Sequence, residues 1–183
     1  MEKQPFVSDI QAIRKRARQH IEQGAVTPGY RADRDTVIKV LNEALATEIV
    51  CVLRYKRHYF MAAGIHAEPV AQEFLQHAND EQMHADQLAT RITELNGEPD
   101  LDPEGLLTRS HSEYVPGRTL VEMIREDLVA ERIAIESYAE MARYFSDRDP
   151  TSRRLMEEIL AKEEEHAADL VKLLEQLGPG AKG

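Results

Sequence analysis

Residues 80–88, DEQMHADQL, and residues 160–170, LAKEEEHAADL, decide how the chain is read. Each holds a glutamate three residues before a histidine, Glu81 with His84 and Glu163 with His166, and no other histidine in the sequence has such a partner. On a helix this spacing puts both side chains on one face. With 22 Glu and 7 His among 183 residues, random placement yields roughly 0.8 such pairs, so two of them carry weight only through their surroundings. Those surroundings are duplicated. Glu48 is followed by Tyr55 and Glu131 by Tyr138, seven residues on in both cases, and Glu48 precedes Glu81 by 33 residues while Glu131 precedes Glu163 by 32. The flanks echo as well: ATEIVCVLRY (46–55) against VAERIAIESY (129–138), and EQMHADQL (81–88) against EEEHAADL (163–170).

Glu48 and Glu131 interrupt apolar stripes, between Leu45 and Val52 and between Leu128 and Ile135 at helical spacing. A carboxylate on a core-facing stripe is costly unless a cation accompanies it. Four Glu and two His converging in one core supply enough oxygen and nitrogen ligands for two closely spaced divalent metals. Carboxylate and imidazole without thiolate suit iron(II) or manganese, with zinc able to substitute. A dimetal site of this kind binds oxygen or peroxide between the ions and draws electrons from them.

Working outward, four long periodic segments read as helices, making the chain all-α. The first runs from about Asp35 or Thr36 to Ala63, with Gly64 as its C-cap, and the second from about Pro69 to Leu95, stopping at Asn96-Gly97. The third opens on a capping box of Thr119 and Glu122 and continues to about Phe145; the fourth has Asp149 as N-cap, Pro150 at its first helical position and Gly178-Pro179 at its end. The first and second helices, and the third and fourth, are joined by short links, which make neighbours antiparallel. The stretch from Glu98 to Arg118 is long enough for one crossover between parallel second and third helices of a four-helix bundle. Upstream lies an amphipathic segment from Ser8 to Glu22, with Ser8 and Gln11 as a capping box and a basic run at Arg14, Lys15, Arg16 and Arg18. The expected organisation is an N-terminal amphipathic helix and linker over 1–34, the bundle over 35–178 and a tail over 179–183.

Composition narrows the function classes. The formal charge of -10 argues against a phosphate backbone as the default partner. Residues 1–35 are net basic, +2 against -12 for the rest. One cysteine, Cys51, excludes an internal disulfide framework, a four-cysteine zinc site and a cysteine-ligated iron–sulfur cluster within one chain. No apolar run approaches the roughly 18 residues of a membrane span and the N-terminus lacks a signal-like apolar segment, so the expected setting is cytoplasmic, with no membrane partner.

The stretch from about Thr36 to Leu177 resembles bacterioferritin and the wider ferritin-like superfamily, through DEQMHAD on the second helix and LAKEEEHAADL on the fourth. The resemblance implies a ferritin-like four-helix bundle with a di-iron site inside one chain. It assigns Glu48, Glu81 and His84 to one metal and Glu131, Glu163 and His166 to the other, with Glu81 and Glu163 bridging. Tyr55 would steady a ligating glutamate, and Asp80 would fix the ring of a ligating histidine.

Departures from the family pattern also inform. A methionine follows the second-helix glutamate of bacterioferritin and ligates haem; here Gln82 stands there and Met83 is turned about 100° around the helix, which argues against haem. Lys162 replaces an aspartate expected before Glu163. His77 replaces an acidic inner-surface residue and shares the site-facing stripe with His84, as an extra ligand, a relay or an ordinary satisfied polar group. Too few residues follow His166 for the fifth helix of the 24-subunit cage. Together with the N-terminal helix this favours a twelve-subunit, Dps-like homo-oligomeric cage. The implied function is iron storage and detoxification: a ferroxidase oxidising Fe(II) with peroxide or oxygen and keeping ferric mineral in a hollow assembly, with protection of DNA as a corollary. Weak DNA binding through the N-terminal basic segment is one alternative; a dimetal oxidase or peroxidase of rubrerythrin or manganese-catalase type is another, although rubrerythrin's separate iron centre needs four cysteines.

Overall fold

The computed structural model describes residues 8–65 and 67–177. Six α-helices and no strands occur among them: α1 (Ile10–Arg16), α2 (Arg34–Met61), α3 (Ala67–Glu94), α4 (Leu106–Arg109), α5 (Leu120–Phe145) and α6 (Pro150–Leu177). Helices α2, α3 and α6 are 28 residues long and α5 is 26, each about 40 Å at 1.5 Å per residue. Helix α2 packs along α3 and α5 along α6, and the two pairs close on each other through α2 with α5 and α3 with α6. This is the four-helix bundle with one crossover that the loop lengths predict. Among the described residues no helix is long and apolar enough to cross a membrane. The tail expected at 179–183, and with it the expected absence of a fifth helix, lies outside the described residues.

Most helix ends follow local chemistry. Thr119 and Glu122 form the reciprocal capping box of α5. Asn96 takes a left-handed conformation (φ 58) after α3, the Gly97 N–H returns to the Ile92 carbonyl and the Asn96 N–H to the Thr93 carbonyl, both at 2.9 Å, the bond pair of a left-handed C-cap. A Cβ on Gly97 would lie 2.9 Å from the Ile38 side chain of α2, so any larger residue there would push Ile38 aside. Helix α2 stops at Met61, two residues before the expected end, because Ala62 is already extended. Gly64 (φ 116) then turns the chain. Helix α3 begins two residues before Pro69, whose missing N–H is harmless in a first turn that has no intrahelical acceptor.

The N-terminal expectation fails. The N-terminal helix spans seven residues rather than Ser8–Glu22, and its cap is Asp9, which accepts from the Ala12 N–H at 2.9 Å, not Ser8 with Gln11. It buries nothing, and a short helix without tertiary support does not propagate. It ends at Arg16 with Ala17 as its C-cap, and His20 (φ 52) then leads into a 3-10 turn at Ile21–Gln23. The crossover also contains α4, held by Arg109, which donates to the carbonyls of Glu104 and Asp102 at 3.0 and 2.8 Å. It is tied to α2 by Asn42, which donates to the Glu98 carbonyl and accepts from the Asp100 N–H, and by Thr47, which accepts from the His111 N–H.

The core divides in two. One apolar cluster gathers Val37, Leu41, Leu45, Leu88, Ile92, Phe145 and Met156; the other gathers Tyr55, Val70, Phe74, Met123, Ile124 and Leu170. Buried ion clusters brace both halves. Arg54 donates to Asp127 at 2.9 Å, Ser112 at 3.0 Å and the Glu113 carbonyl at 2.8 Å, while His58 meets Asp127 at 2.7 Å. In the other half Asp149 caps α6 through the Ser152 N–H at 3.0 Å, and also accepts from Ser152 Oγ, Arg91 and Tyr30.

Burial pushes the Asp149 carboxyl up, but hydrogen bonds from the Ser152 N–H and hydroxyl, with Tyr30 and Arg91, outweigh it and hold the group below the usual carboxylate range. Asp149→Ala therefore removes a cap and strands the Arg91 charge, and should cost about 3 kcal/mol, lowering the melting temperature by roughly 6–12 °C at neutral pH. A carboxylate with a depressed folded value stabilises above its unfolded value and loses that contribution as pH falls. The wild-type and variant melting curves should thus converge below about pH 4. Thermal melts followed by circular dichroism across pH check both statements.

Candidate metal centre

Between the two apolar clusters, one turn from each long helix turns polar. Helices α2 and α5 bring Glu48 and Glu131 from opposite sides, and α3 and α6 bring Glu81 with His84 and Glu163 with His166. All six residues are buried, none more than 6% exposed. They form two overlapping groups, Glu48, Glu81, His84 and Glu163 in one and Glu81, Glu131, Glu163 and His166 in the other, each with its ligand-type atoms within 4.8 Å of one another. Glu81 and Glu163 belong to both. His84 Nδ1 lies 3.0 Å from Glu163, 3.1 Å from Glu81 and 3.5 Å from Glu48. His166 Nδ1 lies 3.4 Å from Glu163, 3.5 Å from Glu81 and 3.9 Å from Glu131. The sequence duplication is thus a near-twofold arrangement in space, and the structure brings together all six residues that the sequence singles out.

The groups behind the cluster follow the same symmetry. The Tyr55 hydroxyl on α2 donates to Glu131 on α5, and the Tyr138 hydroxyl on α5 donates to Glu48 on α2. Each tyrosine steadies the carboxylate of the opposite helix. Asp80 faces His166 Nε2 at 3.3 Å, leaving Nδ1 to point into the cluster. At the matching position near His84, Lys162 pairs with Glu165 at 3.0 Å instead. His77 is buried, stacks on His166 with ring centroids 4.0 Å apart and meets the Tyr55 hydroxyl through Nδ1 at 3.1 Å. Burial and the neighbouring His166 push the His77 ring down to about 3. Cys51 is buried, accepts from Arg54 at 3.5 Å and has its thiol pushed up by burial, so it is an inert packing group. Met83 lies 54% exposed.

The donor set fits divalent metals. Glu48 Oε2, both carboxylate oxygens of Glu163 and His166 Nδ1 are buried without a hydrogen-bond partner, an arrangement that an ion stabilises. Four carboxylates and two neutral imidazoles carry four negative charges, which two divalent cations balance. Protons take that role when ions are absent. Burial and the Glu81 charge push Glu48 up to about 8, and burial with Glu81 pushes Glu131 well up. Burial alone disfavours the charged histidines, but hydrogen bonds to Glu163, Glu48 and Glu81 push His84 up to about 12, and those to Glu163 and Glu81 push His166 up to about 10. Glu163 is the exception: burial opposes its charge, yet the two histidines and Glu131 hold it below the usual range.

Sequence reasoning did not find the Arg54–Asp127–His58 and Arg91–Asp149 braces, nor Glu73 and Asp169 beside His77. Glu73, four residues before His77, carried a usable i, i+4 signal; Asp169 reaches them only through the packing of α6 on α3.

The fold and these residues define a bundle of the ferritin type, and comparison with known proteins places it. The chain belongs to the ferritin-like domain family, whose model matches residues 38–178. It is 31% identical over 140 residues to a bacterioferritin from Desulfovibrio desulfuricans, covering 75% of this chain and 74% of that protein. It is 30% identical over 146 residues to the DNA protection during starvation protein of Pyrococcus furiosus, covering 78% of each. Among solved structures, the bacterioferritin-related protein of Bacteroides fragilis, a dodecameric thioferritin, superposes with a TM-score of 0.77 at 32% identity, covering 80% of this chain and 89% of that one.

Because metals displace protons from Glu48, Glu131, His84 and His166, anaerobic loading with two zinc ions near neutral pH should release about four protons per chain, and affinity should rise steeply with pH. Titration in weakly buffered indicator solution reads the number; release of less than one would contradict the protonation pattern.

Proposed function

We propose that this protein is a ferroxidase and iron store: Fe(II) is its substrate, bound within one chain by Glu48, Glu81 and His84 on one side and Glu131, Glu163 and His166 on the other, with Glu81 and Glu163 bridging. The observation that carries this reading is that two ligand groups share these two carboxylates while Glu48 Oε2, both Glu163 oxygens and His166 Nδ1 have no other partner. Two bound ferrous ions supply one electron each, matching the two electrons that reduce peroxide to water or oxygen to peroxide. The chain's own contribution is positional. Tyr55 and Tyr138 orient the terminal carboxylates from behind, Asp80 sets the tautomer of His166, and the two apolar clusters exclude bulk water on either side. Manganese or zinc fits the same donors.

The unit taken to carry this activity is the bundle over 35–178, with 1–34 as an accessory segment and 179–183 as a tail. Ferric product is held in a hollow homo-oligomer, for which the twelve-chain assembly of the Bacteroides fragilis relative is the favoured precedent over a 24-chain one. The setting is cytoplasmic. Contact with DNA is a second role, favoured by one observation: α1 buries no residue, and its Arg14, Lys15 and Arg16 are all exposed. Repeated around an assembly, such weak contacts add.

Glu48→Ala and His166→Ala should each slow Fe(II) oxidation by at least about a hundred-fold, followed by the absorbance of the ferric product; wild-type rates in both would sink the site assignment. Native mass measurement should give roughly 250 kDa, twelve chains of 20.8 kDa, whereas a dimer would favour oxidase chemistry.

A further inference from the structure

One more group of ligand-type side chains lies beside the six-residue cluster and shares none of its members. Glu73 and His77 of α3 and Asp169 of α6 offer oxygen and nitrogen atoms all within 4.8 Å of one another. Glu73 and His77 are four residues apart and so share a helix face.

The histidine carries the argument. His77 is 1% exposed, and its Nδ1 contacts the Tyr55 hydroxyl at 3.1 Å. Tyr55 has a single proton, and an ionised Glu131, the state that metal binding produces, can only accept it. In the contact with His77 the hydroxyl oxygen is therefore the acceptor and Nδ1 the donor. That fixes the neutral tautomer and leaves a lone pair on Nε2. Nε2 is buried without a hydrogen-bond partner and faces Glu73 Oε1 at 3.3 Å. Two acceptors so placed repel each other unless a cation joins them.

The other two members supply the charge. Burial first, and then the nearby Asp169 charge, raise the Glu73 carboxyl above its ordinary value. Lys172 donates to Asp169 Oδ1 at 2.7 Å, which leaves Oδ2 free of that bond. The Glu73 and Asp169 side chains are 33% and 28% exposed, so water can complete the coordination of an ion there.

We propose that Glu73, His77 Nε2 and Asp169 form a third metal site, for a divalent transition cation such as Fe(II), Mn(II) or Zn(II), at the half-open edge of the buried cluster. One imidazole with two carboxylates is a borderline-hard set suited to these ions. Three ligands, two of them half-exposed, make the site weaker and faster-exchanging than the buried pair. An ion there sits one ring away from Tyr55 and Glu131, where cations arriving from solvent can be held before going inward.

Anaerobic titration of the full-length metal-free chain with Co(II) alone, by calorimetry and visible absorption, tests this. Wild type should take up three ions per chain, the weakest of them lost, or weakened at least about ten-fold, in both Glu73→Gln and Asp169→Asn. These near-isosteric changes at half-exposed positions leave the six buried ligands in place, and circular dichroism verifies the fold. In Glu48→Ala the weak site should persist. Only two ions in wild type, or a third ion bound equally well by both variants, would overturn the proposal. A single wild-type ion retained in Glu48→Ala and lost in Asp169→Asn would support this third site while removing the buried pair.

Discussion

Four carboxylates in the middle of a helical bundle, with apolar packing on either side, are the constraint on which the rest of the structure depends. Ionised and alone they would repel one another in a medium that screens poorly. The chain meets this with two charge-neutral arrangements of the same groups. Without metal, protons reside on Glu48, Glu131, His84 and His166; with two divalent ions, the same atoms become ligands. The fold can therefore form before the ions arrive, and binding exchanges one set of positive charges for another rather than creating a charge in the core.

Such an exchange works only if the ligands keep their places, and the groups behind them serve that end. The tyrosines cross the bundle, each steadying the glutamate of the other half. This turns an internal sequence repeat into mechanical reciprocity: α2 cannot shift along α5 without disturbing both terminal carboxylates. Farther out, the Arg54–Asp127–His58 and Arg91–Asp149–Ser152 networks lie in the two halves that flank the site. Breaking either would strand a buried charge, a penalty larger than that of a lost neutral hydrogen bond.

Much of this was legible in the sequence for physical reasons. The Glu-x-x-His pairs and the paired Glu and Tyr lie at helical spacings, so one-dimensional intervals translate directly into a shared face. The Thr119–Glu122 box and the Asp149 cap are local chemistry and appear as expected. What escaped depends on packing between distant segments. Arg54 reads as an ordinary helical cation until the crossover and α5 close over it. Asp169 reads as a surface acid until α6 is laid against α3. The N-terminal segment misled in the opposite direction, since its amphipathic pattern extends well beyond the seven residues that are helical. A pattern of spacing states what a helix would bury, not whether anything is there to receive it.

That asymmetry bears on how the site relates to its surroundings. His166 has Asp80 at its back, whereas the equivalent place near His84 holds Lys162, which pairs outward with Glu165. His166 also carries the stacked His77, through which the cluster meets Glu73 and Asp169. The two halves of the repeat thus agree in the atoms that face the centre and diverge in the atoms behind them. The inward-facing set is constrained by charge balance, which any departure would upset. The outer set is free to differ, and it is on the His166 side that the differences accumulate as polar, ligand-type groups leading toward solvent. A centre with equivalent inner ligands and one polar flank has a direction built into it, from the half-open edge at Glu73 and Asp169 toward the shared carboxylates of Glu81 and Glu163.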